Sequence, residues 1–144
     1  FYTTALPMLI EFAYPATVFV PTGLVGQYAT WDSYDKTKRL MSWQQLESCQ
    51  RFGVVFGSHT VNHTNLTACR DTDLDTELRF SLRILSDRLE NVIPAVAYPG
   101  GYHDQRVRQV ARTIGYRCGL GTSSRWGNGP ETDPYQLRRE RPAP

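Results

Sequence analysis

Val54-Val-Phe-Gly-Ser-His-Thr-Val-Asn-His63 is the stretch from which the rest of the chain is read. Val54–Phe56 is a short apolar run of strand-forming residues, stopped by Gly57. Two histidines, His59 and His63, follow the strand directly and stand four residues apart. Upstream, Ala16–Val20 reads as another buried strand, ended by Pro21 and Gly23. Before it, Leu6, Leu9, Ile10 and Ala13 mark one face of a helix, with Thr4 as its expected N-cap. Residues 22–41 read as a long loop. Ser42 and Gln45 form a capping box for a helix from Trp43 to Phe52, closed by Gly53.

Downstream the alternation continues. Thr72 and Asp75 read as a second capping box, and Leu74, Leu78, Leu82, Leu85 and Leu89 draw an apolar stripe to about Glu90. Ala95–Tyr98 is a third strand. Asp104 caps a helix carrying Val107, Val110, Ala111 and Ile114, which Gly115 ends. Tyr116–Leu120 is a fourth strand, and Leu137–Arg141 begins another after a Gly- and Ser-rich loop. Helix and strand repeat four times, the pattern of an α/β fold with a parallel sheet or barrel.

The chain has 144 residues, which predicts one domain over 1–144. Hydrophobic residues make up 40% and charged residues 21%, which excludes intrinsic disorder and collagen-like repeats. Sixteen Lys and Arg against fourteen Asp and Glu leave a net charge of +2, without the concentrated basic patch of a nucleic-acid binder. Arg138, Arg139 and Arg141 read as a solvated strand edge. Cys49, Cys69 and Cys118 are too few and too widely spaced for a disulfide framework, so buried or free thiols are expected. Ala5–Gly26 is apolar but holds Glu11, Pro7, Pro15 and Pro21, which argues against one membrane-spanning helix. The first helix lacks a strand before it, and the last strand lacks a partner. A fragment of a longer chain is therefore expected.

In parallel α/β folds functional groups collect at the C-terminal ends of strands. His59 and His63 sit there, an i, i+4 pair expected on one helical turn and so able to hold one metal ion from one side. The bland alternative is two solvated or capping histidines. A third ligand is hard to find: Glu77 lies on the long helix, Asp104 is an N-cap, Asp133 is in a late loop, and Cys69 is weakly placed. Tyr98-Pro99-Gly100-Gly101 follows the third strand and can present a backbone N–H to a developing oxyanion, or make an ordinary turn. Trp31, Tyr28, Tyr102 and Trp126 fall in loops, where aromatics stack on sugar rings or pack the core. His103 either reaches the site or faces solvent. The Asn62-His-Thr and Asn65-Leu-Thr glycosylation patterns read as chance, since a glycan on Asn62 would stand between the two histidines.

Taken in order, these segments resemble the polysaccharide deacetylase family, carbohydrate esterase family four. Ala5–Leu9 with Pro15–Val20 resembles the helix and strand after its first motif. Ser58–His63 matches its His-(Ser/Thr)-x-x-His motif. Ser86–Glu90 with Ala97–Gly101 matches the Leu-Glu helix end and Tyr-Pro-x-Gly motif of its biofilm-polysaccharide (poly-N-acetylglucosamine) branch, and Leu137–Arg139 resembles its Leu-x-Arg strand.

The resemblance implies a distorted (β/α) barrel, incomplete here, with one divalent metal, usually Zn2+. It implies hydrolysis of N-acetyl groups on a sugar polymer. His59 and His63 would be metal ligands and Thr60 would brace their loop. The Gly100 N–H would take the oxyanion position beside Pro99, supported by Tyr98 and Gly101. Trp126 would line the groove for the acetyl methyl. The family's Thr-Phe-Asp-Asp-Gly strand, which carries its catalytic base and third ligand, would precede Phe1, and its acid histidine would follow Pro144. The 144-residue chain alone is therefore expected to bind metal weakly and hydrolyse little. An amidohydrolase of the same fold acting on a small amide, and a non-catalytic carbohydrate-binding relative, are the other readings. Family analogy implies the cell envelope or secretion; the polymer stays open.

Overall fold

Among the described residues five strands lie side by side, all parallel, in the order in which the chain makes them. The computed structural model describes residues 1–32, 37–122 and 127–139. The strands are β1 (Thr17–Val20), β2 (Val55–Ser58), β3 (Val92–Ala97), β4 (Cys118–Thr122) and β5 (Leu137–Arg139). The helices are α1 (Ala5–Glu11), α2 (Trp43–Gln50), α3 (Asp71–Arg88) and α4 (Gln105–Ile114). Parallel neighbours need a crossover, and α2, α3 and α4 supply the first three. The link from β4 to β5 passes through a short 3-10 turn, Pro134–Gln136. The result is an arc of (β/α) barrel wall, open between β1 and β5, which is the expected fold class in its expected incomplete form.

Two apolar clusters bind helices to this sheet. One joins Leu6, Val20, Leu46, Cys49, Val54, Phe56, Leu85 and Leu89. The other joins Leu66, Leu74, Leu78, Val96, Tyr98, Val107, Ala111, Tyr116 and Tyr135. The leucine stripe of α3 thus divides between the two, Leu74 and Leu78 in one, Leu85 and Leu89 in the other. Buried phenols are satisfied within the core: Tyr116 donates to Leu78 O at 2.8 Å and Tyr98 to Tyr135 O at 3.1 Å. Burial pushes both phenols well above the ordinary tyrosine range.

Local signals held where the side chain had no better partner. Both arms of the Ser42–Gln45 capping box form. Asp104 Oδ1 accepts from Val107 N at 2.8 Å, and Gly115 closes α4 at φ 110°. Two expected caps do not form. Thr4 makes no side-chain cap bond, and α3 starts at Asp71, ahead of the Thr72–Asp75 box. Arg106 gathers the carbonyls of Leu66, Thr67 and Cys69 and also binds Asp71, which places that segment and starts the helix early. Asp75 is taken by Arg79 one turn on, at 2.6 Å.

Element ends differ from expectation as well. β3 begins at Val92 and includes Pro94, a residue that argues against a strand in sequence. β2 ends at Ser58 and β4 at Thr122, each two residues later than expected, while α2 stops at Gln50. The loop 22–41 holds structure of its own, with Gly26 N bonded to Met41 O, Leu40 N to Gln27 O and Ala29 N to Lys38 O. All three cysteines carry free thiols, Cys49 buried and the others half-buried. Among the described residues no helix is long and apolar enough to cross a membrane.

β4 packs against β3 without room for a side chain at Gly119. A Cβ there would stand 2.0 Å from Tyr98 Oη, the atom that holds Tyr135. Gly119→Ala is expected to lower the free energy of unfolding by about 1–3 kcal/mol, the range for overpacking a core, as read by urea denaturation.

Candidate functional site

β2 hands directly to the two-histidine turn. His59 N still bonds Val20 O at 3.0 Å, so the sheet ladder extends one residue past Ser58. The chain then turns twice through the left-handed region, at Thr60 (φ 67°) and His63 (φ 56°). Neither residue is glycine, and Thr60 is β-branched, so both conformations are strained. The turn is held on every side. His63 N donates to Thr60 Oγ1 at 3.0 Å and Thr60 N to Ser58 Oγ at 3.2 Å. Thr60 O accepts from Thr22 N at 3.0 Å and from Ser81 Oγ at 3.0 Å. Gly23 N bonds Val61 O at 2.9 Å. Glu77, buried on α3, accepts from the amides of Val61 and Asn62, each at 2.9 Å, and from Asn62 Nδ2 at 2.6 Å.

The two imidazoles meet at the rim, with ring centroids 4.8 Å apart and planes at 79°. His59 Nδ1 lies 2.5 Å from Ala97 O, the last residue of β3. A carbonyl can only accept, so Nδ1 carries the proton and Nε2 keeps its lone pair. Burial pulls His59 down to about 4; the Ala97 bond opposes this, while His63 and Arg139 add to it. Burial also lowers His63. Both rings are therefore neutral near pH 7, the form that binds a metal. Trp31 stacks on His63 at 4.0 Å with an interplanar angle of 12°.

These observations test the donor set. Two neutral imidazoles, one with its tautomer set by a backbone carbonyl, have the chemistry of paired zinc ligands. Among the described residues no group of three His, Cys, Asp or Glu could hold an ion. Glu77 is spent on the turn, and Asp104 on its cap. Asp133 accepts from Tyr135 N and faces Arg108 and Arg112. Cys69 is engaged with Asn65 O at 3.5 Å. Among the described residues the two imidazoles stand as a candidate pair without a third donor beside them.

The Pro99–Gly101 segment makes a tight 3-10 turn at the end of β3. Its internal bonds run from Gly101 N to Tyr98 O and from Tyr102 N to Pro99 O, and Gly100 N takes part in neither. Gly100 adopts φ 62°, and a Cβ there would lie 2.5 Å from the exposed Tyr102 ring. Tyr98, buried beneath, anchors the turn through its phenol. The bond between His59 and Ala97 O brings this turn beside the histidines.

Other candidates scatter. His103 is half-buried: it packs on Tyr98 at 4.8 Å and accepts from Arg108 Nη1 at 3.2 Å. Arg139 is half-buried, donates to Gly121 O at 3.1 Å and lies close enough to act on His59, which corrects the reading of a merely solvated edge. Tyr28 is exposed. Trp126 and Arg141 lie outside the described residues. Glu77, Ser81 and Ser58 enter the site as braces of the turn, a role the sequence does not announce. Their only signal was polar residues placed along the apolar stripe of α3 and at the end of β2.

The family model for polysaccharide deacetylase matches residues 1–119. The YxkH protein of Bacillus subtilis is 22% identical over 143 residues, 99% of this chain and 47% of that protein. The deacetylase PplD of Streptococcus pyogenes, solved with acetate, is 30% identical with a TM-score of 0.72, covering 84% of this chain and 50% of that one. The BpsB deacetylase domain of Bordetella bronchiseptica shares the fold at 23% identity and a TM-score of 0.76, covering 96% and 65%. The chain spans about half the length of YxkH and of PplD.

Two buried threonines beside the turn should respond oppositely to loss of the hydroxyl. Thr60 Oγ1 accepts from His63 N, whereas Thr22 Oγ1 is buried with no hydrogen-bond partner among the described residues. Thr60→Val is expected to cost about 1–3 kcal/mol of unfolding free energy, because it orphans a backbone N–H. Thr22→Val is expected to leave stability unchanged or raise it by up to about 1 kcal/mol. Parallel denaturation curves decide; equal losses would show that the Thr60 bond does not matter.

Proposed function

The chain belongs to the polysaccharide deacetylase family, and we propose that it carries the histidine half of a metal-dependent site that removes N-acetyl groups from a sugar polymer. The observation that carries this reading is the His59–His63 pair, with His59 anchored through Nδ1 to Ala97 O. That bond orients the ring and leaves Nε2 to the metal. The metal, zinc in our reading, would polarise the amide carbonyl and generate a water nucleophile near neutral pH. In this reading the remaining ligand and the catalytic base would come from an acidic strand of the family's Asp-Asp-Gly type.

The protein's own residues have separable tasks. His59 and His63 hold the metal in their neutral forms. Thr60 braces the turn between them through His63 N. Gly100, with its N–H outside the turn's internal bonds, donates to the oxygen on which charge develops. Pro99 and Gly101 shape that turn, and Tyr98 holds it from below. The likeness to PplD, a deacetylase solved with acetate, supports a product of this class. The Tyr-Pro-x-Gly match supports a poly-N-acetylglucosamine-like polymer as the substrate.

The test is zinc titration with an acetate-release assay on N-acetylglucosamine oligomers. It is run on this chain and on a form extended ahead of Phe1 to include the family's acidic strand. Tight one-to-one binding and acetate release by the extended form are expected. His59→Ala and His63→Ala should each lower zinc affinity and kcat/KM by more than about 100-fold, beyond what loss of an outer-shell partner costs. Activity surviving both changes would sink the metal mechanism. Failure of both forms to bind zinc would make the histidines structural and put the carbohydrate-binding reading first.

A further inference from the structure

The turn that carries the histidines is braced by side chains of α3. Glu77 and Ser81 stand four residues apart on α3, hence on one face. From that face Glu77 accepts three N–H groups, from Val61 N, Asn62 N and Asn62 Nδ2, at 2.9, 2.9 and 2.6 Å. Ser81 donates to Thr60 O at 3.0 Å, and its oxygen accepts from Ser58 Oγ at 2.8 Å. Both side chains are buried, Ser81 fully. Together they grip the backbone between the two strained residues, Thr60 and His63. Left-handed conformations of non-glycine residues persist only where surrounding structure over-determines them. A core helix could have packed on β2 with leucines alone, and polar groups at these two positions serve the turn instead.

We infer that Glu77 and Ser81 are positioning residues, through which α3 sets the angle at which the His59 and His63 imidazoles meet their metal. The inference rests on the metal reading above. The carboxyl is matched to its partners. Glu77 presents one oxygen to two amides and the other to Asn62 Nδ2. A glutamine would set its own NH2 against one of these donors. Ser81→Ala removes the donor to Thr60 O and the acceptor for Ser58.

The test compares the parent, Glu77→Gln and Ser81→Ala in the extended form. The first readout needs no metal: the NMR ring signals of His59 and His63. Those of His63 report its seat against Trp31, whose ring current displaces them upfield. The second is zinc titration. Both variants should keep the amide signals of the sheet and shift the His63 ring signals. Their zinc dissociation constants should rise about 10–100-fold, the range for lost outer-shell partners. Unmoved ring signals in both folded variants would overturn the inference. So would zinc affinity within about twofold of the parent, well inside the outer-shell range. Should the parent itself bind no zinc, the metal reading falls, and the ring signals alone decide whether α3 positions the pair. Should Glu77→Gln not fold, Ser81→Ala with the same two readouts decides.

Discussion

The backbone after β2 leaves the ordinary φ/ψ regions twice within four residues, at Thr60 and again at His63. Each departure costs on the order of 1–3 kcal/mol, and something must hold it in place. Here the holding groups converge from three directions. Thr22 and Gly23 come from the end of β1, Ser58 from β2 itself, and Glu77 and Ser81 from α3. The strain has a visible product. It turns the chain sharply enough to stand His59 and His63 edge to face at 4.8 Å, four residues apart but not on a helix. Without it the two rings would simply follow the strand.

α3 is the element through which fold and site share their energetics. Its leucines enter both apolar clusters, so it is tied to β2 at one end and to β3, α4 and Tyr116 at the other. Its polar positions then serve the turn. Movement of the helix would strain the cores and open the turn together. The same coupling appears at β3, whose last carbonyl orients His59 and whose following turn presents Gly100. Two adjacent strand ends are thereby joined into one rim by a single side-chain bond. This agrees with the rule that parallel α/β folds gather function at the C-terminal side of the sheet.

Much of this was legible in the residues. The period of Leu74 through Leu89, the Ser42–Gln45 box and the Asp104 cap are local patterns, and the structure reproduces them. Local patterns failed where a distant group offered a better bond. Thr72 and Asp75 lost their box because Arg106, more than thirty residues on, seats the chain ahead of α3. β3 reaches back through Pro94 to Val92, beyond the apolar run Ala95–Tyr98, although proline disfavours a strand interior. Within the site, His59, His63 and Gly100 could be picked out by residue type and by their place after a strand. In sequence Glu77 reads only as a poor candidate ligand on the long helix. Trp31 was one loop aromatic among several.

What the sequence by itself determined is the succession of elements, the parallel sheet and the placing of two histidines and a Pro-Gly-Gly turn at strand ends. These follow from apolar periodicity and from the few residues that cap helices or allow a positive φ, all properties of a short window. What only the tertiary structure decided is which groups act on those residues. The bond from His59 to Ala97 spans 38 positions, that from Val61 to Glu77 spans 16, and the stack of Trp31 on His63 joins separate loops. Such contacts depend on how α3 packs against β2 and how β3 registers beside it. Packing of that kind answers to the shape of the whole core, which no local pattern of residues encodes.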